Sequence, residues 1–294
     1  MEQFLELNCL LVKVMMIEEN KEKEISIAFI GDIVGRPGRK IIKANLERVV
    51  EEHKIDFVIA NGENASHGFG LTVKNANELF NCGIDIITGG NHSWDKKKDM
   101  ITLLESKPVL RPDNYPEGVP GSGVKIVEIG NVQLAVINLM GLYTMPQVLN
   151  PFNHILEIVE KLEKDNIKHI FIDFHAEVTA EKRILMQLLK GRVSAICGTH
   201  THVGTDDQEI TDGTYYVTDI GMTGCRDNVI GMESDIPIKK ALTGLGGHFN
   251  VPNNCKSIMQ IAIIKIDEDG KSNDGFKIKI YDDKEEVISH CIVN

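Results

Sequence analysis

Short apolar runs along the chain predict buried β-strands at residues 25–30, 55–60, 84–88, 169–174 and 193–197. Apolar positions at helical spacing follow the first run, and Pro37 suits the first turn of that helix. Thr72 and Thr179 are predicted caps of two further helices, which end near Gly83 and before Gly191. Helices are also predicted at 96–105 and 153–164. This alternation of strands and helices predicts an α/β fold.

The alternation is interrupted in the second half of the chain. Gly130-Asn131 separates apolar segments at 124–128 and 132–139, which is a signal for a β-hairpin. A second β-excursion is predicted at 208–218 around Asp212-Gly213, and strands are predicted at 258–266 and 276–281. These hairpins predict a mixed or doubled sheet. Residues 219–254 are glycine-rich with weak periodicity, and no element is predicted there.

The first residues of the chain are predicted to be an extension to a single domain. Residues 1–24 contain an apolar stretch, but Glu2 and Glu6 precede it and no basic start is present, which argues against a signal peptide. We expect this extension to pack as a helix or to be partly disordered. Residues 25–294 contain no repeat or linker, so they are predicted to form one domain.

Composition narrows the classes of function. A net charge of −11 argues against general or stable nucleic-acid binding, which needs basic patches. The negative charge is compatible with a small phosphate ester as substrate, because a bound metal ion makes the electrostatic potential at its site positive. The six cysteines are scattered without a C-x-x-C pair, and no apolar run is long enough to span a membrane. The scattered cysteines favour a reducing, cytoplasmic location. Composition leaves both a monomer and a homo-oligomer as alternatives.

Polar side chains that bind metals or transfer protons follow five of the predicted strands. They are Asp32, Glu63 with Asn64, Asn91 with His92, His175, and His200 with His202. A single strand-end Asp is often a helix cap, and a lone His is more often structural than a ligand. Five such coincidences at strand ends are less probable than one. The carboxyl ends of strands are also the place where ligand sites form in α/β sheets. Carboxylate, amide and imidazole ligands together suit manganese, iron or zinc ions.

Several motifs resemble those of the calcineurin-type metallophosphoesterases, and more narrowly their YmdB-like bacterial branch. The motifs are Gly31-Asp32, Asn61-Gly62-Glu63-Asn64, Gly90-Asn91-His92, Asp173-Phe174-His175-Ala176-Glu177 and Gly198-Thr199-His200-Thr201-His202. The resemblance runs from about residue 25 to near the C-terminus. The chain departs from the wider superfamily at the first strand, where Asp-x-His is usual. Here Ile33 and Val34 follow Asp32, so that histidine is missing.

The resemblance implies a four-layer sandwich, in which two mixed β-sheets lie face to face with helices outside. It also implies a binuclear metal centre that favours iron or manganese, with zinc as the alternative. The first ion would be held by Asp32, Glu63, Asn64 and His202. The second would be held by Glu63, Asn91, His175 and His200. No separate organic cofactor is implied.

The activity implied by the resemblance is hydrolysis of a small phosphodiester, with 2′,3′- or 3′,5′-cAMP favoured. A hydroxide that bridges both ions would attack phosphorus. His92 would then be the general acid that protonates the leaving oxygen. A phosphomonoesterase or nuclease that uses the same ions remains an alternative, as does a metal-stabilised regulatory binding protein. His92 favours an enzyme, because a structural metal site needs no proton donor.

Overall fold

The computed structural model describes residues 24–282 and 286–294. The predicted extension at residues 1–24 therefore lies outside the described residues, except for Glu24. Among the described residues, no helix is both long enough and apolar enough to cross a membrane.

The first sheet has seven strands and is mixed. In spatial order they are β13 (Glu286–His290), β12 (Ser272–Tyr281), β11 (Ser257–Ile266), β1 (Ile25–Ile30), β2 (Phe57–Asn61) and β3 (Ile86–Thr88), with β10 (Gly224–Cys225) also paired to β11. β1, β2 and β3 are parallel, whereas β11 pairs antiparallel with both β1 and β12. The carboxyl ends of β1, β2 and β3 therefore lie at one edge.

The second sheet is also mixed and has seven strands. In spatial order they are β14 (Ile292–Val293), β8 (Glu209–Thr211), β9 (Thr214–Val217), β7 (Ala195–Thr199), β6 (His169–His175), β5 (Val132–Met140) and β4 (Val124–Ile129). β5, β6, β7 and β9 run parallel, and the predicted hairpin of β4 and β5 is present.

Six helices lie among the described residues. They are α1 (Gly35–His53), α2 (Val73–Phe80), α3 (Lys97–Ser106), α4 (Pro151–Lys164), α5 (Thr179–Leu189) and α6 (Asp235–Thr243). The predicted cap at Thr72 is confirmed, because its hydroxyl accepts a hydrogen bond from the backbone N–H of Asn75 at 3.3 Å. Asn150 caps α4 in the same way through Phe152 and Asn153.

Among the described residues, three apolar cores fill the spaces between neighbouring layers. One core joins α1, α2 and α3 to the outer face of the first sheet, for example through Leu46 and Leu79. A second core lies between the sheets, where the rings of Phe29 and Phe171 are 5.0 Å apart. A third joins α4 and α5 to the second sheet. The predicted four-layer α/β sandwich with two mixed sheets is thus confirmed.

Some local predictions were wrong. Thr179 is the first residue of α5 and not its cap, because Val178 occupies the cap position and makes no side-chain capping bond. α6 was missed because it lies in the glycine-rich segment, where its few apolar residues, such as Ile238 and Leu242, are exposed. β13 and β14 were missed because both are short and mostly exposed at sheet edges. None of these errors involves the strand ends that carry the candidate site.

Candidate metal centre

The predicted site residues meet where the carboxyl ends of the two sheets face each other. Asp32 lies just beyond β1, and His175 is the last residue of β6. A hydrogen bond of 3.0 Å from the Asn61 amide to Asp173 joins the two sheets directly beneath the site. Because parallel strands end at a common edge, residues distant in sequence are brought together here.

Three of the predicted ligands surround one nitrogen atom of a fourth, Nε2 of His175. Asn91 Oδ1 lies 2.8 Å from it, His200 Nδ1 lies 3.0 Å from it, and Glu63 Oε1 lies 3.2 Å from it. Candidate ligand atoms of Glu63, His175 and His200 all lie within 4.8 Å of one another. The structure therefore brings together the whole set predicted for the second ion, although its role in metal binding stays a prediction.

The set predicted for the first ion is also brought together, but less tightly. Asp32 is fully buried, and its Oδ2 accepts a hydrogen bond of 3.1 Å from the backbone N–H of His200. Its Oδ1 has no hydrogen-bond partner among the described residues and lies 4.0 Å from Nε2 of His202. A buried carboxylate oxygen without a donor is costly, and a cation would satisfy it.

Asn64 lies between Glu63 and His202. Its Nδ2 is 2.9 Å from Glu63 Oε1 and 3.3 Å from His202 Nε2. The oxygen and nitrogen of a side-chain amide are assigned from hydrogen bonding, and rotating the amide exchanges them. That rotation would direct Oδ1 toward the same point, so the position of Asn64 is compatible with the predicted ligand role.

The pKa shifts reflect opposite charges that are buried close together in the site. Burial lowers the pKa of His175, but the charges of Glu63, Asp32 and Asp173 outweigh this and raise it to about 9. Burial alone would raise the pKa of Glu63, yet His175 lowers it to about 2. Burial and the positive charge of His175 together lower the pKa of His200 to about 3. The ionised carboxylate of Glu63 and the neutral imidazole of His200 are donor types that a transition-metal cation requires.

Two hydrogen-bond chains fix the orientation of the histidine rings. The hydroxyl of Thr199 donates to Asp173 at 2.6 Å, so its oxygen accepts from His175 Nδ1 at 3.0 Å. His202 Nδ1 donates to the backbone carbonyl of Ile230 at 2.8 Å. When the rings are neutral, as metal binding requires, these bonds leave Nε2 as the lone-pair nitrogen of each ring. The prediction from sequence missed these supports, although Asp173 shares a strand face with His175.

A buried ion pair holds the loop that carries His200 and His202. The ammonium group of Lys182 lies 2.8 Å from Asp219, and both side chains are buried. Asp219 in turn accepts hydrogen bonds from the backbone and hydroxyl of Thr201, at 3.2 and 2.8 Å. The loop needs this support because His200 and His202 have φ values of 98° and 65°, which are unfavourable for residues with a Cβ.

His92 lies at the rim of the cluster and not within it. Its backbone N–H donates to Glu63 Oε2 at 2.9 Å, and its ring packs edge-on against Phe69 at 5.1 Å. Nδ1 donates to Asp95 Oδ2 at 2.8 Å, which leaves Nε2 for exchange of a proton with a ligand. Among the described residues, its ring makes no hydrogen bond to the predicted ligands. Asp95 was missed by the sequence analysis.

Two other polar residues near the site have different environments. Arg111 is buried and donates to backbone carbonyls of its own loop, including those of Pro112 and Gly121. It therefore stabilises that loop. His67 is exposed and does not line the cavity described next.

A cavity of 640 Å³ opens above the cluster. Its polar side is formed by predicted site residues and their neighbour Glu177, which lies 3.1 Å from His200. Its apolar lining includes Phe69, Ile230, Met232, Pro237, Ala241 and Phe249. Lys240 also lines the cavity, with its ammonium group 5.6 Å from the ring centre of Phe249. The volume and mixed lining are typical of a site for a small organic ligand.

The chain matches the family described as "YmdB-like protein" over residues 28–278. It is 44% identical over 246 residues to the 2′,3′-cyclic-nucleotide 2′-phosphodiesterase of Bacillus subtilis (strain 168), and the match covers 83% of this chain and 92% of that protein. A solved structure of a novel phosphatase from Mycoplasma pneumoniae is 33% identical, with a TM-score of 0.83 and coverage of 88% and 94%. A hypothetical protein from Thermus thermophilus, also of known structure, is 34% identical, with a TM-score of 0.80 and coverage of 90% and 99%.

Proposed function

This chain belongs to the YmdB-like protein family, and on that premise we propose that it is a metal-dependent phosphodiesterase acting on cyclic nucleotides. The curated relatives and solved structures support the coarser assignment, a hydrolase of phosphate esters. The finer assignment has its support in the B. subtilis relative, whose name specifies 2′,3′-cyclic nucleotides. The geometry of this chain's own cavity is the second support.

The observation that carries the proposal is that predicted metal ligands and two aromatic rings line the same cavity. A nucleoside cyclic phosphate has matching parts, an anionic phosphodiester and a flat base. The phosphate would lie beside Glu63, His200 and His202, and the base would contact Phe69 or Phe249. The cavity of 640 Å³ suits a single nucleotide better than a polymer.

The residues present fit two metal ions. Asp32, Glu63, Asn64 and His202 would hold one ion, and Glu63, Asn91, His175 and His200 would hold the other. When bound, such a pair supplies Lewis-acid polarisation of the phosphate and lowers the pKa of water. Thr199 and the carbonyl of Ile230 hold the two imidazole rings in the orientation that this binding needs.

His92 provides the proton for the leaving oxygen in this proposal. Its Nδ1–H donates to Asp95, which fixes the direction of the ring. Its ring lines the cavity next to Glu63, at the edge of the ligand cluster. A side chain placed between the metal ligands and the substrate volume is positioned for acid catalysis.

A diesterase, a monoesterase, a nuclease and a binding protein differ in which phosphate esters they hydrolyse. We therefore expect protein loaded with Mn²⁺ to hydrolyse 2′,3′-cAMP and bis-p-nitrophenyl phosphate at least about tenfold more efficiently than p-nitrophenyl phosphate, judged by kcat/KM. 3′,5′-cAMP assayed in parallel tests the specificity for the ring, and a single-stranded oligonucleotide tests for nuclease activity.

The control in this assay is the same protein after treatment with a chelator. Faster turnover of p-nitrophenyl phosphate would replace the diesterase with a monoesterase. Cleavage of the oligonucleotide in preference to the cyclic nucleotides would indicate a nuclease. Metal binding without hydrolysis of any of these substrates would favour the regulatory binding protein.

A further inference from the structure

A second group of potential metal ligands lies outside the cavity, at the turn between β10 and the residues before β11. Cys225, Asp227 and Cys255 each place a ligand atom within 4.8 Å of the others. Cys225 is buried at the end of β10, Cys255 is partly exposed and Asp227 is exposed. None of the three lines the cavity of the candidate metal centre.

Backbone pairing holds these side chains together. β10 pairs antiparallel with β11, so that Cys225 lies opposite Ser257. The pairing continues beyond the strand, because Arg226 N–H donates to the carbonyl of Lys256 at 2.8 Å. The N–H of Lys256 donates to Asp227 Oδ1 at 3.2 Å, which fixes the carboxylate.

Short contacts within the group bring its potential ligand atoms together. The thiol of Cys225 donates to Asp227 Oδ1 at 3.1 Å, and the amide of Asn228 lies 3.5 Å from the same sulfur. The sulfurs of Cys225 and Cys255 lie within 4.8 Å of each other. Two sulfurs and one carboxylate oxygen thus lie around one point that is open to solvent on the side of Asp227.

We propose that Cys225, Asp227 and Cys255 form a separate binding site for a soft divalent cation of the zinc or cadmium type. Two thiolates and a carboxylate are typical zinc ligands, and water or Asn228 would complete four-coordination. The binuclear centre draws on imidazole, amide and carboxylate donors, so the two sites differ in metal preference. Each thiol releases its proton to solvent when the metal binds, and no electron transfer is required.

Burial raises the pKa of the Cys225 thiol. Cys225 is therefore in its thiol form in the free site, and metal binding at its sulfur competes with a proton. Affinity is expected to rise with pH as this competition weakens. The site also borders the residues that lead to Ile230, whose carbonyl holds His202.

Cadmium titration tests the proposal directly, because thiolate-to-cadmium charge transfer absorbs in the ultraviolet. The full chain is first loaded with Mn²⁺ to fill its centre and is kept under a non-thiol reductant. We expect one equivalent of Cd²⁺ to produce the band. Cys225→Ser and Cys255→Ser should each lose most of it, and Asp227→Asn should bind Cd²⁺ about tenfold more weakly.

Cys82→Ser and Cys291→Ser are the matched controls, because both thiols are partly buried and lie outside the group. These variants should retain the full band, and circular dichroism should show that all the variants are folded. Cys255 is the safer substitution because it is partly exposed. A wild-type protein without the band, or a band of full size in both Cys225→Ser and Cys255→Ser, would overturn the proposal.

Discussion

His200→Ala is expected to lose metal and phosphodiesterase activity together, with a fall in kcat/KM of at least about 10²–10³-fold. His200 contributes a ring nitrogen that lies 3.0 Å from His175 Nε2, at the centre of the cluster. Removing it leaves the site predicted for the second ion with one ligand fewer, beside Glu63 and Asn91. The measurement is metal content after dialysis, together with turnover of 2′,3′-cAMP.

The matched control is His290→Ala, which removes an exposed histidine at the end of β13. Both variants should remain folded, because the side chain of His200 is 23% exposed and does not belong to a core. If His200→Ala retained the metal content and turnover of the His290→Ala control, the ligand assignment of His200 would be wrong.

His92→Ala is expected to retain its metal and to lose about 10²–10⁴-fold in rate toward 2′,3′-cAMP. The ribose alkoxide is a poor leaving group and needs a proton, whereas p-nitrophenolate departs without one. The loss should therefore be much smaller with bis-p-nitrophenyl phosphate. The measurement is kcat for both substrates at equal metal content.

The comparison of the two histidine variants separates catalysis from metal binding. If His92→Ala lost metal as readily as His200→Ala, His92 would be a ligand or a structural support. If it kept its full rate toward cyclic nucleotides, the proton donor would have to be another group. The sequence offered His67 as the next candidate, but the structure places that side chain exposed and outside the cavity lining.

The elements that position the site could be predicted because their sequence signals are local. Strands such as β1 and β6 are short, largely apolar runs with buried side chains on both faces, and a predicted metal ligand lies at or just beyond the end of each. Because strand ends in such sheets converge, the positions of Asp32 and His175 could be placed at one edge before any contact was known. The ligand roles came from the family resemblance, and their test is still ahead.

The supporting interactions could not be predicted because they depend on tertiary contacts. The Lys182–Asp219 ion pair joins a helix to a glycine-rich segment that has only weak periodicity. Asp95 becomes relevant only when a turn places it beside the ring of His92. The apolar wall contains Phe249, which lies beyond the unpredicted helix α6. Side chains on irregular segments carry no period that would reveal their partners.

Metal stoichiometry measured alongside activity tests the central claim most directly. Protein freed of metal by chelation is titrated with Mn²⁺, and bound metal and turnover of 2′,3′-cAMP are followed in the same samples. A centre that shares Glu63 between two ions predicts saturation at two ions per chain, with no activity at zero and full activity only at two. Saturation at one ion per chain, or full turnover by the metal-free protein, would contradict the account.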